Sequence, residues 1–254
     1  MLENPTIQKL RDMKLKVMAE MMAAPDTKMT DLTFEERLSL MVENEWQAKK
    51  NARIKRLINS AGFGVNACLE DVDYGDYRKL DKQGIQSLAS CTYIEQKLNV
   101  LISGKTGSGK SFIGCALGHQ ACRREYSVKY FRVPELLLEI QAAKTETRYH
   151  KFMDDLKKYK LIILDDVGTK IYDQEEGRDL LELAELRYNK GSIIFVSQLP
   201  SEKWYDLFPD PTIADAFLDR VIHNSYVISI DSTVSLREVM AQKKLKMIEK
   251  MEQS

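Results

Sequence analysis

The sequence predicts an α/β protein, with a mainly parallel sheet covered by helices on both faces and a small helical domain ahead of it. Three observations lead there. From Leu98 onward, short apolar runs alternate with helical patterns, the order that builds parallel sheets. Before that, apolar residues recur at three- and four-residue intervals, as on one face of a helix. The 254 residues are 44% hydrophobic and 30% charged, which supplies a sizeable core and excludes wholesale disorder. No apolar run approaches the roughly 18 residues of a membrane span. The start at Met1-Leu2-Glu3-Asn4-Pro5 lacks the order of a secretory signal. A cytoplasmic protein with no membrane association is expected.

Taken in order, Ile7, Leu10, Met13, Val17 and Met21 predict one amphipathic helix, broken at Pro25-Asp26. Thr33 and Glu36 have capping-box spacing, and Phe34, Leu38, Met41 and Val42 carry an apolar stripe toward Trp46. Beyond it, Lys49, Arg53 and Arg56 share one helical face. A small helical hairpin results. Gly62, Gly64, Gly75 and the acids Glu70, Asp71, Asp73, Asp76 and Asp81 predict a linker over 61–80. The domains are therefore expected at 1–64 and 65–254. Leu98 to Ser103 reads as a strand, 109–125 as a helix and Ser127 to Val133 as a strand. Pro134 suits the first turn of the next helix. Leu161 to Leu164 is a buried strand, 174–189 a helix, Ser192 to Val196 a buried strand and Ile213 to Val221 an amphipathic helix. Tyr226 to Ile230 closes the sheet ahead of a charged C-terminal helix.

Charge and metal-ligand residues exclude some chemistry. Lys plus Arg and Asp plus Glu both number 38, so any nucleic-acid contact depends on local patches rather than on the total. Cys68, Cys91, Cys115 and Cys122 show no C-x-x-C spacing, and the histidines match no zinc pattern.

The strongest motif is Gly104-Lys105-Thr106-Gly107-Ser108-Gly109-Lys110-Ser111, a full G-x-x-x-x-G-K-[ST] match between a strand and a helix. Five of the 12 glycines fall between Gly104 and Gly118, so their placement serves a loop. Glycines let successive amides turn inward around a phosphate, and the following helix start adds partial positive charge. Lys110 would neutralise the β- and γ-phosphates, and the Ser111 hydroxyl would ligate Mg²⁺. Phe112 follows at the edge of the same nucleotide-binding run. Leu161-Ile162-Ile163-Leu164-Asp165-Asp166 predicts a central strand whose carboxylates meet the ligand crevice. Asp165 would hold Mg²⁺ through water, and Asp166 would orient and deprotonate the attacking water. Ser197 or Gln198, at the end of the neighbouring strand, would contact the γ-phosphate. Arg220 would act from a neighbouring subunit. A GTPase would carry N-K-x-D, whereas Asn189-Lys190-Gly191-Ser192 lacks the aspartate, and no L-S-G-G-Q segment marks an ABC-type ATPase. A small-molecule kinase is an alternative that the acid pair disfavours.

These segments, with Ser-Gln-Leu-Pro at 197–200, Asp-Pro-Thr-Ile-Ala-Asp-Ala-Phe-Leu-Asp-Arg-Val-Ile-His-Asn at 210–224 and Ser235-Leu236-Arg237, resemble the IstB-like ATPases over nearly the whole chain. The resemblance implies an AAA+ ATPase of the initiator and helicase-loader branch, related to DnaA and DnaC. Such proteins help an insertion-sequence transposase. They assemble on double-stranded DNA with ATP and Mg²⁺ as homo-oligomers with shared ATP sites, remodel the target and recruit or stimulate the partner transposase. By the same resemblance Gln198 or Ser197 takes a first-sensor role, Arg220 an intersubunit finger role and Arg237 a second-sensor-like role. A DnaC-like replicative helicase loader is the alternative. Two basic regions are candidates for DNA: Lys49, Arg53 and Arg56, and Lys144, Arg148 and Lys151, although solvated helix faces look the same. Without interleaved aromatics, weak sequence preference is expected.

Overall fold

The computed structural model describes residues 4–24, 31–232, 234–236 and 238. They divide into two compact units, residues 1–56 and 57–254.

In the first unit, the single predicted helix is two: α1 (Pro5–Asp12) and α2 (Lys16–Ala23). The break is local. Lys14 adopts a left-handed φ of 59°, and the Lys14 and Leu15 amides donate back to Arg11 and Leu10 carbonyls, a C-terminal motif that satisfies the orphan acceptors of α1. Of the five residues expected on one buried face, only Ile7 is buried and Met13 is exposed. The break at Pro25-Asp26 lies outside the described residues. The helix α3 (Phe34–Ala61) starts at the expected capping box, with Thr33 N to Glu36 Oε2 at 2.8 Å and Glu36 N to Thr33 Oγ1 at 3.3 Å. Glu45 on α3 accepts the amides of Val17 and Met18, capping α2. The stripe of Phe34, Leu38, Val42 and Trp46 is exposed rather than buried.

The second unit is a five-stranded parallel sheet of order β2-β3-β4-β1-β5. Its strands are β1 (Asn99–Gly104), β2 (Val128–Arg132), β3 (Leu161–Val167), β4 (Ser192–Ser197) and β5 (Ser225–Ile230). The helices are α4 (Lys82–Leu88), α5 (Thr92–Glu95), α6 (Lys110–Arg123), α7 (Val133–Thr145), α8 (Tyr149–Lys157), α9 (Gln174–Arg187) and α10 (Pro211–Ile222). Strand residues alternate between two cores. Leu101, Ile162, Leu164, Ile193 and Phe195 pack with α7 to α10, while Val100, Ile102, Ile163, Ile194 and Val196 pack with α4 to α6. Both faces are therefore covered, which explains the near-continuous apolar runs. Asp173 with Glu176 forms a capping box on α9, and Asp210 accepts the Thr212 amide to open α10.

One expectation needs correction here. Residues 61–80 do not form a free linker, because Ala61, Ala67, Val72 and Arg78 are buried against the sheet unit. β3 runs through the acid pair, as expected, and one residue further to Val167, with a register irregularity against β4 between Leu164 and Val167. Asp166 occupies that irregularity with φ of 60°, a conformation a short acid side chain tolerates better than most. Two helices, α7 and α8, lie between β2 and β3. The charged C-terminal helix falls outside the described residues. No helix among the described residues is long and apolar enough to cross a membrane.

One buried histidine is expected to make this unit acid-sensitive. His119 on α6 is stacked on Phe63 with ring centroids 4.4 Å apart. Burial, helped by Arg123, holds it below its ordinary 6.5, so the fold keeps the neutral ring. Above that value neither state is protonated and the group contributes nothing. As pH falls through it, the unfolded chain takes up the proton first and stability drops. The urea midpoint should therefore fall between about pH 7.5 and about pH 5.5, and fall less in His119→Gln. Equal falls in both proteins would remove His119 as the cause.

Candidate nucleotide-binding site

The glycine motif forms the loop between β1 and α6. Gly107 and Gly109 have φ of 78° and 85°, left-handed values that a side chain would strain. A Cβ on Gly109 would also meet Arg78 Nη2 at 2.8 Å. Gly104 ends β1, and Lys105 is exposed while its carbonyl accepts the Ser108 amide at 3.1 Å and Lys110 Nζ at 3.3 Å. Lys110 opens α6 at only 7% exposure.

The loop and the acid strand meet. Ser111 Oγ donates to Asp165 Oδ1 at 3.2 Å, the Asp166 amide donates to the same oxygen at 2.8 Å, and the Tyr130 hydroxyl donates to Oδ2 at 2.9 Å. Burial and the Asp165 charge push the Tyr130 phenol far above its ordinary range, so it remains a donor. A hydroxyl and a buried carboxylate side by side form a hard-oxygen donor set. That suits Mg²⁺, which takes one or two protein oxygens and completes its shell with phosphates and water. Among the described residues, no group of three or more His, Cys, Asp or Glu is placed to hold a metal.

Thr106, Gly107, Gly109, Lys110, Ser111, Phe112, Asp166 and Gln198 line one cleft, of about 940 Å³ counted out to open solvent. Thr106 Oγ1 donates to Gln198 Oε1 at 2.8 Å, so Gln198 reaches the loop. Ser197 does not: its hydroxyl is buried, donating to the Val167 carbonyl at 2.7 Å and accepting the Leu199 amide at 3.0 Å. It ties the strand ends together and has no free face for a phosphate. Asp166 is paired with Arg132, Nε to Oδ2 at 2.8 Å, and the same guanidinium reaches Glu135 at 3.0 Å. The carboxylate holds the Arg132 proton more tightly than usual.

Residues that the motifs did not single out complete the cleft. Val65, Asp71, Asp73, Arg78 and Leu236 line it, four of them from or next to the stretch expected as a linker. Arg78 is 1% exposed and donates to the Asp73 carbonyl at 2.6 Å and the Ser108 carbonyl at 2.7 Å, bracing the loop from behind. Burial lowers its pKa, with Tyr77 and Asp73 pulling the other way. Only pairing across the sheet reveals Tyr130 and Arg132, since Arg132 is the register partner of Asp165.

Arg220 lies elsewhere. It sits on α10 beside Asn99, Arg187 and Asn189, at the ends of the strands away from the loop, and pairs with Glu185 at 2.9 Å. Its own cleft is at the other, C-terminal, ends of the strands. Arg237 falls outside the described residues. Of the basic candidates, Lys144 is clamped by Asp179 at 2.6 Å and Glu175 at 3.0 Å, and Arg148 pairs with Glu146. Those pairs offset the charge of both side chains, which sequence spacing alone does not reveal. Lys151 is exposed on α8. Lys49 lies 3.6 Å from Glu45, Arg56 bonds the Ala52 carbonyl at 3.4 Å, and with Arg53 both are exposed on α3.

A parallel sheet with a phosphate-binding loop after β1, facing an acid pair at the end of β3, defines a P-loop nucleotide-binding domain. The chain belongs to the IstB-like ATP binding protein family, whose model matches residues 8–244. It is 37% identical over 245 residues to a provisionally named insertion sequence ATP-binding protein, y4pL, of Sinorhizobium fredii strain NBRC 101917 / NGR234, covering 96% of this chain and 100% of that one. It is 28% identical to the provisionally named ATP-binding protein of insertion sequence IS21 from Pseudomonas aeruginosa, covering 79% of this chain and 76% of that one. Among solved structures, AMPPCP-bound DnaA from Aquifex aeolicus superposes with a TM-score of 0.58 at 19% identity, over 73% of this chain and 56% of that one. DnaI superposes at 0.55 and 19% identity, over 69% and 93%.

Proposed function

We propose that this chain is a Mg²⁺-dependent ATPase that assembles on double-stranded DNA, remodels it and recruits or stimulates a partner transposase in the cytoplasm. The contact of Ser111 with Asp165 at 3.2 Å carries the ATPase part of this reading, because it joins the phosphate loop to the acid strand. Relatives named for insertion sequences support the transposase context. A DnaA structure bound to AMPPCP and single-stranded DNA has the same fold at a TM-score of 0.56 and 18% identity, which makes DNA a reasonable ligand to test.

In this reading the loop amides, the α6 N-terminus and Lys110 bind the triphosphate. Ser111 and Asp165 would hold Mg²⁺, which when bound would supply charge neutralisation at the phosphates. Asp166 takes the proton of the attacking water once Arg132 lets go of its carboxylate. Gln198, tethered to Thr106, reports the γ-phosphate. Arg220, at the other ends of the strands, serves the cleft of an adjoining copy, which makes the oligomer part of the site. Lys49, Arg53, Arg56 and Lys151 are the DNA contacts that fit best, with the paired Lys144 and Arg148 set aside.

Sizing the protein with a DNA duplex and ATP, ADP or a non-hydrolysable analogue tests the assembly. Growth on DNA with the triphosphate forms alone is expected, with DNA raising ATP turnover and salt weakening binding steeply as counterions return to the phosphates. A monomer indifferent to both DNA and nucleotide would end the proposal.

A further inference from the structure

Asp165 is the carboxylate beside Ser111, and one of its oxygens is occupied by a residue outside both motifs. Oδ1 takes the Ser111 hydroxyl and the Asp166 amide, while Oδ2 takes the Tyr130 hydroxyl at 2.9 Å. The last torsion of a carboxylate is broad and two-fold, so bonds to one oxygen alone leave it loosely set. A donor on the other oxygen selects one orientation.

The phenol is itself held in place. Its ring packs with Phe63, Leu69 and Phe112 around a small cluster of Ala67, Cys115 and Ala116. Above it, a Cβ on Gly64 would come within 2.8 Å of the Tyr130 hydroxyl oxygen and 3.0 Å of Cζ. A side chain at 64 therefore displaces the hydroxyl that Asp165 accepts. We propose that Tyr130 is a positioning residue for the metal-holding carboxylate, and that Gly64 leaves the space in which it works. This rests on the reading of the cleft as an Mg²⁺–ATP site. Outer-shell partners of this sort are worth about 10- to 100-fold in metal affinity.

The test needs no turnover. Binding of a fluorescent ATP analogue is followed as Mg²⁺ is added to metal-free wild type, Tyr130→Phe and Gly64→Ala. In Tyr130→Phe the Mg²⁺ concentration that half-restores tight binding should rise about ten-fold, with metal-free affinity changed less than about two-fold. Gly64→Ala should move the same way, and the double variant should move no further than the larger single one, since both act on one contact. An unchanged Mg²⁺ response in Tyr130→Phe overturns the inference. So does equal weakening with and without metal, which is what a purely structural tyrosine gives. If wild-type binding ignores Mg²⁺, the reading of the cleft fails first and takes the inference with it.

Discussion

Lys110→Ala should abolish ATP binding, weakening it roughly a hundred-fold or more and bringing turnover to background. The side chain lines the cleft at the start of α6, with its ammonium 3.3 Å from the Lys105 carbonyl. Without it, the loop amides and the helix end still attract phosphate, but they carry only partial charges. The fold should survive, because the residue faces the cleft and not the two sheet cores. Thermal melting separates the effects. ATP raises the wild-type melting temperature by mass action, and the variant should melt where apo wild type does, with or without nucleotide. A normal nucleotide-induced rise in Lys110→Ala would mean that the triphosphate is gripped elsewhere.

The second large effect concerns Arg220. Arg220→Ala should leave nucleotide affinity within a few-fold and lower turnover by about 10³- to 10⁵-fold, the range for an arginine that meets the transition state. The position of Arg220 beside Asn99 and Arg187, at the ends of the strands away from its own loop, makes a neighbouring cleft its only target in this reading. Mixing supplies the decisive observation. Arg220→Ala and Lys110→Ala subunits are each inactive, yet a mixture should recover turnover, since one provides the arginine and the other an intact cleft. The plain alternative is that Arg220 only pairs with Glu185 at 2.9 Å. Glu185→Gln removes that pair and keeps the arginine, and an exposed pair is worth about 0–1 kcal/mol. Near-normal turnover in Glu185→Gln, with loss in Arg220→Ala, sets the pair aside. A normal rate in Arg220→Ala would sink the shared site.

Much of the sheet unit was legible before the structure, and for local reasons. The glycines at 107 and 109 are needed by the backbone itself, so their spacing announces the loop wherever it folds. The runs at 161–164 and 192–196 are apolar because both sheet faces are covered, and their length separates them from helices. Thr33 and Glu36 act within one turn, and the capping box appears where it was expected. The N-terminal helix was misread because apolar spacing survives a break: Lys14 turns the chain through a motif open to few residues other than glycine. The exposed stripe of Phe34, Leu38, Val42 and Trp46 shows that periodicity gives a face but not what covers it.

On its own, then, the amino-acid order determined the phosphate loop, the acid pair, the strand-helix alternation and the family, because each depends on neighbours within a few residues or on one strand's burial. Folding decided the rest. It brought Tyr130 and Arg132 to the acids through the β2–β3 register and turned Arg78 from a linker residue into a brace for the loop. It also buried the Ser197 hydroxyl and spent Lys144 on Asp179. The reason is physical: hydrogen bonds and ion pairs depend on distance in space, and these partners lie about 30 or more residues apart in the chain, where no periodicity connects them.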